Sequence, residues 1–484
     1  MNSTRMLALL LLSVCFAVLP ITAEAVTFTV KSTVDDGDVA PGDGVCATVG
    51  GVCTLRAAIQ EANALAGPDS IKLKTSLYML TIAGRSEDAC ATGDLDITDD
   101  LTITGTGAKN TFINGGKLDR VFHIIGSIVA VKITDVTIQN GLATDGPFVD
   151  SAVGGGIFNG GRLTVKGSTI SNNAVSGGGY VFGGGIYNSG TLTITKSTLS
   201  NSTISNNAVS GGTDAYGGGI YNSGTLTITG STISNNTASS APVCAAGGIM
   251  NYGTLTITGS TLSNNSAGGP SSGYGGGIRN MDTATVTGST ISNNSALGMG
   301  GSAQGGGICN EDGTLTVTGS KIYNNTALGV DDVSGGGISN VYLTLTVTGS
   351  TISNNSATAM AGLGAGGGIS INGATLTIKG STLANNTASG SESSWGGGIC
   401  SQSSDVTVDS STISGNAASG MPGPGYGGGI SHMGNTLLTV QNGSKIIKNL
   451  ASTVGGGIYT DIYDWSSSTD STVAKNAPDD IFYD

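Results

Sequence analysis

The chain has 484 residues, with 82 Gly, 9 Pro, 11% charged and 38% hydrophobic residues, and a net charge of −13. So much apolar residue with so little charge excludes a solvated, disordered chain, and glycine clustered in triplets with little proline excludes collagen. The acidic balance and the scattered basic residues exclude nucleic acid and anionic membrane as partners.

Residues 1–25 carry one Arg, an apolar run from Met6 to about Leu19, and small residues at Ala23 and Ala25. That pattern predicts a secretory signal peptide and hence a secreted or cell-surface protein. No later stretch has the ~20 apolar residues of a membrane-spanning helix.

Residues 26–100 read as an N-terminal capping module. The acidic run DDGDVAPGDG at 35–44 lacks the oxygen spacing of an EF-hand loop and reads as a plain loop. Cys46 and Cys53 flank a short VCATVGGVC loop, which suits a local disulfide. Cys309 and Cys400 sit at one repeat position three repeats apart, about 14 Å at ~4.8 Å per layer, beyond the ~7 Å reach of a bridge. Residues 53–63, CTLRAAIQEAN, form a helical phrase with Leu55, Ala58, Ile59 and Ala62 on one face.

From 101 to 476 one phrase recurs, as in GGGIYNSGTLTITGSTISNN at 217–236. The Ile of its glycine-rich landmark falls at eleven positions from Ile157 to Ile458, a mean period of about 30. A fixed period of that size means a solenoid. Thr alternating with Leu and Ile means strand, so the phrase predicts three short strands per coil of an all-β, right-handed parallel β-helix. The Gly triplets supply corners with φ > 0, and the second Asn of each pair, from Asn173 to Asn449, is suited to an amide ladder between coils. Residues 477–484 read as a C-terminal tail.

The helical phrase resembles the CSLREA motif of exported β-helix proteins, and TFTVKSTVDDGD before it and GDLDIT at 93–98 are similar to that family too. Thr54 stands where the motif has Ser and keeps a capping oxygen, whereas Ala57 replaces the Glu of a capping box. The resemblance implies a helix that covers the open apolar end of the rod. The repeats resemble those of polymorphic outer-membrane proteins in the pectin lyase-like superfamily. Such scaffolds serve adhesins, polysaccharide lyases and hydrolases, and passive passengers, so fold alone leaves function open.

Catalysis on this scaffold needs clustered carboxylates or a basic residue beside them. Between Gly154 and Ile458 there are nine acidic and eight basic residues, and the adjacent pairs Glu311-Asp312 and Asp331-Asp332 read as solvated loops. His123, in VFHII, reads as packing, and His432 has no catalytic neighbours in sequence. No catalytic residue, metal ligand or cofactor site is therefore assigned. Phe182, Tyr216, Tyr274, Trp395 and Tyr426 each precede a Gly triplet, which places them along one edge of the rod. Tyr216, Tyr274, Trp395 and Tyr426 are the candidate ligand-stacking residues. The expected function is a non-catalytic adhesion or interaction protein whose partners are glycans or surface proteins. The alternatives are a polysaccharide lyase or hydrolase and, from the rows of Thr, an ice-binding protein.

Overall fold

The computed structural model describes residues 24–484 apart from 86, 145–150, 196–202, 206–207, 212, 240, 421 and 462–464. All of the expected signal peptide except its last two residues lies outside the described ones.

Alternation of Thr with Leu, Ile and Val gives each repeat a strand with one buried and one exposed face. Each such strand pairs in parallel with its counterpart one repeat away, for example Leu226 with Leu255 and Ile228 with Ile257. The result is an all-β parallel solenoid. The coil carries five short strands where period two predicts three: Ile278–Asn280, Thr283–Thr287, Thr290–Ser292, Ser295–Gly298 and Ala303–Gln304. The two extra strands come from the variable stretch between the Asn pair and the Gly triplet. There the inward residues are Ala rather than Ile or Leu, so no apolar alternation marks them.

Five sheets run along the rod, with 15, 14, 14, 11 and 10 strands. We call the first three, from the TLTIT, STIS and GGGIYN words, the Thr, Ser and Asn sheets; they enclose the main Ile/Leu/Val core. The other two face each other as a thin lobe over a second core built largely of Ala, including Ala238, Ala267, Ala296 and Ala327. On the outer face of the Thr sheet a column of Thr is unbroken over nine coils from Thr193 to Thr439.

A waist joins the lobe to the core, and it explains why the repeat needs both its Gly triplet and its Asn pair. The first glycine turns the chain with φ > 0, as Gly275 does at +62°. A Cβ on the second, Gly276, would lie 2.4 Å from the Gly306 carbonyl oxygen and 2.5 Å from the Ser295 backbone across the waist. The Asn pair divides its work. The first Asn takes the left-handed conformation, as at Asn293 with φ 55°. The second is buried: Asn294 Nδ2 donates to Asn325 Oδ1 at 3.0 Å and to the Leu262 carbonyl at 3.1 Å. The ladder continues link by link from Asn325 to Asn449 and ends at Asn476. Two further ladders run beside it. One passes through the Asn of GGGIYN, from Asn159 to Asn340. The other passes through the Ser before each STIS strand, where Ser320 N–H donates to Ser350 Oγ.

The rod is already formed before residue 101. Thr27–Thr29 and Asp69–Lys72 are the first two strands of the Thr sheet. The helix Leu55–Ala64 is capped by Thr54, whose side chain accepts from the Ala57 N–H. Its Leu55, Ala58, Ile59 and Ala62 join the apolar core at the end of the rod. Cys46 and Cys53 form a disulfide, and Cys90, Cys244, Cys309 and Cys400 are buried free thiols. At the other end, Ile481–Tyr483, within the stretch read as a tail, pairs with Ile458–Thr460 as the last strand of the Asn sheet.

Arg56 is the hub of the cap. It is fully buried and pairs with Asp35, Nε to Oδ1 at 2.7 Å. Its other donors reach the carbonyls of Cys90, Gly93 and Asp94. Burial works against its charge, but the hydrogen bond it donates to Asp35 holds the guanidinium above its ordinary value. The acidic run at 35–44 is occupied in the same way. Asp38 accepts from Ala40 and Ala47, Asp43 accepts from Val45, and Glu61 accepts from Gly42 and Gly44.

Candidate functional site

The residue after each landmark Ile points outward from the Asn sheet, and parallel register stacks these residues into one column along the rod. In chain order the column begins Asp96, His123, Phe158, Tyr187, Tyr221, Met250 and Arg279. It continues through the small residues Cys309, Ser339, Ser370, Cys400 and Ser431, then closes with Tyr459 and Phe482. A second column lies across the glycine corner, on the ten-stranded lobe sheet. It holds Phe182, Tyr216, Ala245, Tyr274, Gln304, Ser334, Ala365, Trp395 and Tyr426. The departures from the repeat thus gather along one re-entrant edge.

All four stacking candidates lie on that edge, in two separate groups. Tyr216 stacks on Phe182, centroids 5.4 Å apart and planes within 9°. Tyr274 lies under the guanidinium of Arg279 at 4.6 Å. Trp395 stacks on Tyr426 at 4.3 Å, and Tyr459 meets both. Ring planes one coil apart cover each other's faces, so most rings offer a ligand their edges and hydroxyls. Alanine is the coil neighbour of Trp395, at Ala365, and equally of Tyr216 and Tyr274, at Ala245. The indole Nε1–H donates to Ser393 Oγ at 2.6 Å, which fixes the ring.

Between the aromatic groups the small residues leave a groove of ≈ 320 Å³, lined by Gln304, Asp332, Ser334, Ser370, Cys400 and Gln402 among others. Further along the same column Arg279 is paired to Glu311 Oε2 at 2.5 Å. Burial opposes the charge of Arg279, and the Cys309 thiol where it is ionised, together with Glu311 on the next coil, more than offsets that. Glu311 is therefore half of an ion pair and not simply a solvated loop residue; its partner lies 32 residues away, one coil back. Burial pushes the thiols of Cys309 and Cys400 up to about 12, which favours the neutral thiol, and Cys400 is one wall of the groove.

The first coils hold a cluster that the repeat pattern conceals. His123 does not simply pack: its ring stacks on Phe158 at 4.7 Å, and its Nδ1 lies 3.2 Å from Asp96 Oδ1 and 3.5 Å from Asp88 Oδ1. Asp94 and Asp119 flank Arg120, whose Nε is 3.1 Å from Asp94 Oδ2. Burial pushes the Asp94 carboxyl up to about 8 and raises Asp119, with Arg120 opposing both shifts. Asp96 and His123 are 27 residues apart in sequence but on adjacent strands. The signal that could have found them is the shared word: Asp96 precedes Ile97 in GDLDIT as His123 precedes Ile124 in VFHII. His432 sits in an inward column, with Nδ1 3.2 Å from Ser401 Oγ and Nε2 3.0 Å from the Thr436 carbonyl oxygen; it is a satisfied core residue.

No protein-family model matches the chain, and no curated protein is similar to it. Among solved structures it is similar to the A-module of the mannuronan C-5 epimerase AlgE6 of Azotobacter vinelandii. The match covers 89% of this chain and 95% of that one, at 16% identity and a TM-score of 0.29. At that distance no residue and no activity carries over.

Proposed function

We propose that the protein is an exported surface or extracellular β-helix that binds an extended carbohydrate chain along the edge between the lobe and the Asn sheet, without turning it over. The observation that carries this reading is the sorting of side chains along one edge. Small residues open a groove over the middle coils, and the stacked pair Trp395 and Tyr426 stands on the coils beyond Ala365. A groove parallel to the rod suits a linear polymer, because one coil advances only about 4.8 Å. Serine, Gln and Asp provide hydrogen bonds to hydroxyls, and an aromatic face takes the apolar side of a sugar ring.

The test is binding of the full chain to a panel of immobilised neutral and acidic polysaccharides, with reducing and unsaturated ends monitored in parallel. Wild type is expected to retain at least one polymer, and Trp395→Ala to bind it about tenfold more weakly, the equivalent of ~1.4 kcal/mol. Trp395→Tyr should recover most of the affinity. Absence of binding across the panel, or a Trp395→Ala variant that binds as wild type does, would sink the reading. Turnover would move it to a lyase or hydrolase.

The unbroken Thr column supports a second reading, ice binding, because it gives hydroxyls and methyls a regular spacing on a flat face. Thr is also a favoured exposed strand residue, so the column stands without a ligand. Thermal hysteresis decides: a freezing gap that shrinks in Thr316→Leu supports ice binding, and no gap in wild type removes it.

A further inference from the structure

We propose that Asp88, Asp96 and His123 form a binding site for a divalent first-row transition-metal ion at the N-terminal end of the outer column.

The geometry comes first. The His123 Nδ1 atom and one carboxylate oxygen each from Asp88 and Asp96 all lie within 4.8 Å of one another. A tetrahedral ion with nitrogen and oxygen ligands at about 2.1 Å places those ligands roughly 3.4 Å apart. The separations from His123 Nδ1, 3.2 Å to Asp96 and 3.5 Å to Asp88, bracket that edge. Asp88 is the adjustable member, with its side chain 72% exposed, so it can complete the third edge. The other two are held. Asp96 Oδ2 accepts from the Cys90 N–H at 2.9 Å, and the His123 imidazole lies flat on Phe158, 8° from parallel.

A second and independent sign is Asp96 Oδ1. It is fully buried, points at His123, and makes no hydrogen bond. A buried carboxylate oxygen left without a donor costs about 1–3 kcal/mol or more, and a bound cation removes that cost. The local charge points the same way. Asp88, Asp94, Asp96 and Asp119 converge here, Arg120 is set between Asp94 and Asp119, Arg85 also acts on Asp119, and Arg56 is occupied by Asp35.

The donor set chooses the metal. One imidazole nitrogen with two carboxylates suits zinc, cobalt or manganese, whereas calcium takes six to eight oxygens. Three protein ligands leave a fourth position for water or a bound group.

The probes are zinc and cobalt(II), added to the metal-stripped full chain. We expect one ion per chain by calorimetry and by metal analysis after dialysis, and the visible absorption of tetrahedral cobalt. Asp88→Asn, on an exposed loop, should fold as wild type and bind at least tenfold more weakly; Asp96→Asn and His123→Ala should abolish the cobalt bands. Far-ultraviolet circular dichroism checks that each variant keeps its strands. The proposal is overturned if wild type takes up neither metal, if Asp88→Asn binds as wild type does, or if calcium displaces zinc at equal concentration. In the first of these cases the cluster is an ion pair only.

Discussion

Replacing Arg56 by Leu is expected to destabilise the N-terminal cap by about 3–5 kcal/mol, because it leaves a buried carboxylate without its cation and takes the side-chain donor from the carbonyls of Gly93 and Asp94. Asp35 keeps the N–H groups of Thr81 and Ile82 as donors but loses its only cation. The carbonyls of Gly93 and Asp94 lose their side-chain donor, while that of Cys90 keeps Gln60 Nε2, so the tie between the helix and the 90–98 stretch is weakened to the bonds made by Gln60 and Asn63. In a solenoid each coil leans on its neighbours, so the damage should stay at one end of the rod. The measurement is hydrogen exchange: amides of Leu55–Ala64 and of the 90–97 stretch should lose protection while those of the central coils keep it. Lys at this position should rescue little, since an ammonium lacks the planar fork that serves three directions. A loss below about 1 kcal/mol would show that Arg56 is not the hub.

Asn325→Ala should cost about 3–5 kcal/mol, as much as a large core truncation, although it removes only one amide group. Asn325 Oδ1 accepts from the N–H and the Nδ2 of Asn294, and its own Nδ2 donates to the Ile291 carbonyl and to Asn355 Oδ1. Alanine leaves the Asn294 N–H buried without its acceptor, takes one donor from the Ile291 carbonyl, and opens a void at the waist. Asn325→Asp keeps the acceptor but sets a carboxylate against the Ile291 and Asn355 oxygens. It should therefore be less stable at pH 7 than at pH 4, where protonation returns a donor. The neighbouring Asn324→Gly is the control: this residue only has to hold φ at 54°, so the change should be within about 1 kcal/mol. Urea unfolding of the three variants checks the ranking, and equal losses at 324 and 325 would remove the division of labour within the Asn pair.

The acidic words of the N-terminal module acquire a physical reason that no single stretch carries. STVDDGD supplies Asp35, TLRAAI supplies Arg56 and GDLDIT supplies the carbonyls of Gly93 and Asp94, so three separate words meet at one guanidinium. Their spacing along the chain says nothing of the meeting, because a helix and a strand intervene. The aromatic edge was legible for the same reason that the repeat was: residues at one repeat position must stack. That the rings stack on one another, Tyr216 on Phe182 and Trp395 on Tyr426, depends on how the side chains tilt in the third dimension.

The sequence by itself determined the parallel solenoid, its strand faces and the edge on which the aromatics lie, because these follow from a periodicity of two within a periodicity of about thirty, and it marked the N-terminal helix by a helical spacing of apolar residues. Only the tertiary structure decided three other features. The lobe strands carry Ala where alternation would have shown Ile or Leu. The Gly triplet and the Asn pair, distant in the phrase, turn out to be the two sides of one waist. And His123 meets Asp96 and Asp88, since contacts between coils join residues about thirty apart that no local pattern links.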